Sequence, residues 1–293
     1  MLVAPVVLLA SGVEAAPRGQ MSLCMHSNTS NGAGYRHALE GWSKAGIRQV
    51  ELNAPFIEAF IKTDTLDGAR QVLTDHGLTL VHGAVAITNL IEPNPNHVAA
   101  LETLKRRCEM FSALGLKKVY TTASGTQKPS ADSYRTIVEQ MRAVGETVKA
   151  FGMTCSVECI RSSPFMSTIL TGLKYTREAA HPNIGVMFDF YHFCSGMNRL
   201  EDMDQIRRGE ILHVHFQDVP DMPRELLDNN SRIIPGDGVS PLVPMLQKLA
   251  AKGYAGPLSV ELFLPKFSDG DPFTVAQEIR RKCEAVMRKA RVL

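Results

Sequence analysis

The stretch SYRTIVEQMRAVGETVKAFGMTCSVEC, Ser133–Cys159, carries the pattern on which the fold rests. Its first part, Ser133–Phe151, spaces apolar residues along one helical face; Gly152 follows, and Met153–Cys159 is a short apolar run of the kind a doubly buried strand makes. A glycine between the two suits a left-handed helix C-cap. The same unit recurs in both directions along the chain. Apolar runs occupy Met21–His26, Ile47–Asn53, Leu78–Gly83, Leu116–Thr121, Met153–Cys159, Ile184–Phe190, Ile211–Phe216 and Pro257–Phe263. Helical spacing appears at Tyr35–Ala45, His97–Leu114, Ser133–Phe151, Pro241–Lys252 and Pro272–Arg291, and Gly46, Gly77 and Gly115 precede strands as Gly152 does. Eight strand–helix units in about 270 residues predict an α/β fold, a single closed (β/α)8 barrel over residues 20–293. A doubly wound open sheet is the other arrangement this alternation allows, but Gly32-Ala33-Gly34 lacks the GxGxxG spacing of its phosphate loop.

With 44% hydrophobic and 21% charged residues, the chain has material for a core and none of the signature of disorder. Lys and Arg number 32 against 30 Asp and Glu, so no basic excess is available to neutralise a phosphate backbone, which argues against a nucleic-acid partner. No apolar run reaches the roughly 20 residues of a bilayer span. Cys24, Cys108, Cys155, Cys159, Cys194 and Cys283 contain no CxxC pair, which points to reduced thiols in the cytoplasm. Leu2–Ala10 followed by Val13-Glu14-Ala15-Ala16-Pro17 points instead to export, although the first basic residue is Arg18 and a signal carries its positive charge ahead of the apolar run. Residues 1–19 are therefore set apart as a signal-like or disordered segment, with cytoplasmic and periplasmic locations both open.

A strand buried on both faces is apolar along its length, so a charged group at its C-terminal end needs a reason, and in a barrel that end faces the active site. Four runs carry such a group: Cys155-Ser156-Val157-Glu158, Val186-Met187-Phe188-Asp189, His213-Val214-His215-Phe216 and Leu258-Ser259-Val260-Glu261. Taken singly, Glu158 or Glu261 reads as a surface salt-bridge partner. Taken together, three carboxylates in one cavity would repel and protonate unless a cation held them ionised. Two Glu, one Asp and one His suit a single divalent ion, Mn²⁺, Mg²⁺ or Co²⁺, and admit Zn²⁺. His192 lies on the same rim or in a loop. His82, ending the third run, is a candidate substrate contact and equally a candidate packing residue. His213 reads as a supporting or core imidazole, Glu51 as a group that orients a neighbour, and Trp42 as packing between helix and barrel.

These motifs, together with Phe188-Asp189-Phe190-Tyr191-His192, His215-Phe216-Gln217-Asp218, Arg232-Ile233-Ile234-Pro235-Gly236-Asp237-Gly238 and Ser259-Val260-Glu261, resemble the xylose isomerase-like TIM-barrel superfamily of sugar isomerases and epimerases. The similarity covers nearly everything after about Gln20. Its members include ketose 3-epimerases, hydroxypyruvate isomerase, inosose isomerase, inosose dehydratase and endonuclease IV. The resemblance implies that Glu158, Asp189, His215 and Glu261 are the metal ligands, that Glu158 and Glu261 form the catalytic acid–base pair, and that His192 and Arg232 contact substrate. The endonuclease branch uses three zinc ions and an Asp-x-His pair, where this chain has Asn230 and Arg232, so the resemblance implies one ion and no nucleic-acid substrate. Relatives often assemble, which leaves a homo-oligomer open.

The expected function is a metal-dependent isomerase or epimerase of a small ketose or keto-sugar. Proton abstraction beside a carbonyl would pass through a metal-stabilised enediolate. A lyase or dehydratase acting on a keto-polyol or keto-glycoside is the alternative, and a barrel that binds a sugar without turnover is a third reading. One departure bears on the substrate: ketose 3-epimerases place an arginine soon after the seventh-strand histidine, and here Arg224 is near that position but not aligned with it.

Overall fold

A computed structural model describes residues 20–293 of the chain; the signal-like reading of residues 1–19 lies outside the described residues. All eight apolar runs form strands: β1 (Ser22–His26), β2 (Gln49–Asn53), β3 (Thr79–Ala84), β4 (Lys118–Thr122), β5 (Thr154–Glu158), β6 (Ile184–Asp189), β7 (Ile211–His215) and β8 (Pro257–Val260). They pair in parallel in sequence order, and β8 closes on β1 with Leu23 opposite Leu258 and Met25 opposite Val260. The open sheet is thereby excluded, and the architecture is a single (β/α)8 barrel. All six residues of β6 are buried, as a strand covered on both faces requires.

Between the strands in sequence lie α1 (Tyr35–Lys44), α2 (Ala54–Phe60), α3 (Leu66–Asp75), α4 (His97–Ala113), α5 (Ala131–Lys149), α6 (Ile169–Ala179), α7 (Phe190–Ser195) and α8 (Leu242–Ala251), and α9 (Pro265–Ser268) and α10 (Pro272–Ala290) follow β8. Helix α5 starts two residues before the periodic pattern does, because the Ser130 and Ser133 side chains cap each other's backbone N–H groups at 3.0 and 3.2 Å. Gly46, Gly77, Gly115 and Gly152 have φ between +60° and +85°, the conformation that ends a helix and turns the chain into the next strand. Trp42 is fully buried on the inner face of α1, and its Nε1 donates to Ser30 Oγ at 3.1 Å. Truncating it to alanine is expected to cost about 3–5 kcal/mol.

All six cysteines are free, five of them buried, in line with the structural-thiol reading. Among the described residues no helix is long and apolar enough to cross a membrane. The consequence for function is positional. Glu158, Asp189 and His215 are the last residues of β5, β6 and β7, and Glu261 follows β8 directly, so all four stand at one end of the barrel.

Candidate metal centre

Strand pairing puts the four groups in one layer. Asp189 is in register with His215, and His215 with Ser259, two residues before Glu261. His215 Nδ1 lies 3.5 Å from Glu158 Oε1, 3.5 Å from Asp189 Oδ2 and 3.3 Å from Glu261 Oε2. One donor atom from each of the four residues falls within 4.8 Å of the others. Yet His215 Nδ1 and Glu158 Oε1 are buried without an aligned hydrogen-bond partner. Buried polar atoms are normally paired, so a convergence of unpaired donors on a common point fits a cation. Other contacts fix the orientations of these side chains. Asp189 Oδ1 caps α7 by accepting the His192 N–H at 2.6 Å, its Oδ2 accepts from Gln217 Nε2 at 3.0 Å, and Asn28 Nδ2 donates to Glu261 Oε1 at 2.9 Å.

The two glutamates differ electrostatically. Burial pushes the Glu158 carboxyl up to about 8, reinforced by the nearby Asp189 and Glu261 charges and opposed by His215. Burial pushes Glu261 up as well, but Arg232 above all, then His215 and His26, outweigh it and hold the carboxyl well below the usual range. Asp189 is likewise held low by Arg232 and His192 against the effect of burial. His192 is pushed down to about 4, chiefly by burial, and stays neutral.

Beneath this layer lies a second. Register shifts at Val50/Glu51 and at Val186/Met187 set Glu51 opposite His82 and Met187 opposite His213. Glu51 accepts from His213 Nε2 at 2.7 Å through one oxygen and from His215 Nε2 at 3.2 Å through the other, which realises its expected orienting role. His82, expected either to contact substrate or to pack, stacks on His213, with centroids 3.8 Å apart and planes 10° apart, and is not among the residues lining the cavity. Glu51, His82 and His213 are close enough for a metal, but two parallel rings cannot both aim a lone pair at one ion, so they serve as support.

Above these four residues opens a cavity of about 600 Å³ lined by Glu158, Glu261, His192 and Arg232, and also by His26, Asn28, Asn53, Tyr120, Ser124 and Phe263. Arg232 is buried between the Tyr191 and Phe263 rings. It pairs with Glu261 and donates from Nη2 to His192 Nε2 at 2.9 Å. Its loop is held by Asp218, whose carboxylate accepts the backbone N–H groups of Val219, Gly236, Gly238 and Ser240 at 2.8–3.0 Å. Arg161 adds bonds to the Leu227 and Arg224 carbonyls at 2.6 and 3.1 Å. Arg224 and Asn230 are themselves exposed, outside the cavity lining. His26 and Tyr120 escaped the sequence reading although Met21–His26 ends in an imidazole, the same signal that marked the other strand ends.

Comparisons with known proteins identify the family of the fold. Residues 39–286 match the model of the xylose isomerase-like TIM barrel family, and the chain belongs to that family. It is 25% identical to the inosose isomerase of Halalkalibacterium halodurans over 84% of this chain and 89% of that protein. It is 26% identical to the 3-dehydroshikimate dehydratase of Pseudomonas putida over 56% of this chain, but that match spans 26% of the dehydratase. A crystal structure of an IOLI protein with a binding zinc atom superposes with a TM-score of 0.86 at 20% identity, covering 92% of this chain and 99% of the other.

Proposed function

We propose that the protein is a divalent-metal-dependent isomerase or epimerase of an uncharged keto-sugar, with Glu158, Asp189, His215 and Glu261 as the ion's ligands. The observation that carries this reading is the convergence of His215 Nδ1 and three carboxylates on the cavity floor, with His215 Nδ1 and Glu158 Oε1 left without a hydrogen-bond partner. An ion held there supplies Lewis acidity, drawing electron density from a carbonyl and its neighbouring hydroxyl so that the C–H between them becomes acidic. The donor set suits Mn²⁺, Co²⁺ or Mg²⁺ and accepts Zn²⁺.

The chain's own carboxyls then divide the proton work. Glu261, held ionised by Arg232, takes the proton from carbon, and Glu158, which also lines the cavity, is the second acid–base group for its return. Return to the opposite face of the same carbon inverts it, and return to the adjacent carbon exchanges aldose and ketose. His192 and Arg232, on the cavity wall, are placed to contact substrate oxygens.

The walls favour a neutral polyol. Arg232 is the single Arg or Lys among the lining residues, and its charge is already matched by Glu261. Away from the ion, a substrate carboxylate or phosphate would find no unpaired Arg or Lys on the cavity wall to meet it. That disfavours a charged substrate of the kind named for the dehydratase relative, while loss of water from a neutral keto-polyol stands as the second reading, supported by that relative's reaction type. Incubating metal-loaded protein with keto-sugars in heavy water tests both. The isomerase reading expects deuterium beside the carbonyl with no loss of water, whereas a product lighter by one water from every active substrate overturns it.

A further inference from the structure

Two buried polar groups on the cavity floor play no part in that proton transfer: the Tyr120 hydroxyl on β4 and the His26 imidazole at the end of β1. Tyr120 Oη lies 3.2 Å from His26 Nε2. The far side of the ring fixes the direction of this hydrogen bond. The Asn28 backbone N–H donates to His26 Nδ1 at 3.0 Å, so Nδ1 carries a lone pair and the proton of the neutral imidazole resides on Nε2. Glu51 Oε1 is 4.0 Å away, too far to accept that proton, which leaves Tyr120 Oη as the acceptor. The Tyr120 hydroxyl proton is then free, and among the described residues Tyr120 Oη has no other hydrogen-bond partner.

We propose that Tyr120 is a substrate-contacting residue whose Oη–H donates to the carbonyl oxygen, or to the adjoining hydroxyl oxygen, of the keto-sugar and stabilises the negative charge that develops there. The inference rests on the keto-sugar reading above. Three donors point the same way, from the Asn28 amide to His26, from His26 to Tyr120, and from Tyr120 to the substrate. The chain begins at a backbone N–H, which does not part with its proton, so a proton lost from Tyr120 is not replaced from behind. Tyr120 therefore acts as an oxyanion donor, and net proton transfer stays with Glu158 and Glu261. Burial, reinforced by the Glu261 charge, pushes the phenol well above its ordinary range, which keeps it a donor at working pH. His26 is a positioning residue that holds the Tyr120 oxygen with its Nε2–H.

Two measurements test this. In the first, nitrogen NMR of histidine-labelled wild type, with His26 assigned by its absence from His26→Gln, locates the ring proton. A neutral ring protonated on Nε2 supports the proposal, and a proton on Nδ1 overturns it. In the second, Tyr120→Phe is compared with wild type on a keto-sugar that the heavy-water screen identifies. At least a tenfold fall in kcat/KM is expected, with metal content, melting temperature and the positions of both limbs of the pH profile unchanged. A kcat/KM within twofold of wild type overturns the proposal, as does a displaced limb, which would make Tyr120 a proton-transfer group. If wild type turns over no keto-sugar, the parent reading falls, and the NMR result still decides the hydrogen-bond direction.

Discussion

The His215 ring is tied from behind by Glu51, whose Oε1 accepts from Nε2 at 3.2 Å, so that Nδ1 is the atom left facing Glu158, Asp189 and Glu261. A carboxylate in this position fixes the tautomer of a ligating imidazole and raises its basicity. Glu51→Gln keeps the shape and removes the charge. The expected result is a metal affinity lower by about 10–100-fold, read by titration against a competing chelator. An affinity within threefold of wild type would mean that Glu51 only fills space.

Arg232 and Glu261 form a buried ion pair, and removing one partner of such a pair strands the other charge at a cost of about 3–5 kcal/mol. A bound divalent ion offers the stranded carboxylate a second partner. Arg232→Met is therefore expected to lower the melting temperature strongly in metal-free protein and much less with Mn²⁺ or Co²⁺ present. Equal losses in the two states would place Glu261 outside the ion's coordination.

Metal uptake should release protons near neutrality. The Glu158 carboxyl, raised to about 8 by burial, is mostly protonated at pH 7 in the metal-free protein, and an ion requires the carboxylate. Below pH 8 the Glu158 proton competes with the ion, so apparent affinity falls as the pH drops from 8 toward 6. Calorimetry at pH 7 in buffers of different ionisation enthalpy should report close to one proton released for this group. A binding enthalpy independent of buffer contradicts the assignment.

Asp218 concentrates four backbone N–H groups on one carboxylate and thereby sets the path of the segment that carries Arg232. Asp218→Ala leaves these donors without their acceptor, at about 1–3 kcal/mol for each one that water does not reach. A loss of at least about 3 kcal/mol is expected in denaturant unfolding, with a raised KM because Arg232 is no longer held against His192. Unchanged stability would show that the loop holds its path without Asp218.

The elements were legible in the sequence because a buried parallel strand and an amphipathic helix have different periods, and the glycines at 46, 77, 115 and 152 separate them. That four polar side chains meet at one end of the barrel was legible for a related reason: Glu158, Asp189, His215 and Glu261 interrupt apolar runs at matching depth. Depth below these four was not. His82 ends its run as His215 does, but the register shift between β2 and β3 sets it beside Glu51 and His213, and no periodicity signals such a shift. Tyr120 was hidden by composition, since a tyrosine in an apolar run reads as core, and only the direction of the Asn28–His26 bond shows that its hydroxyl is free. The Asp218 staple depends on backbone N–H groups up to 22 residues further along the chain, which side-chain patterns do not encode.

The most direct test of the account is the metal content of protein purified without chelators, wild type against Asp189→Asn, a change that keeps a capping side chain at the start of α7. The account predicts about one divalent ion per chain in wild type and little or none in the variant. Wild type that binds no ion even after Mn²⁺ or Co²⁺ is added, or a variant that binds as well as wild type, would contradict it.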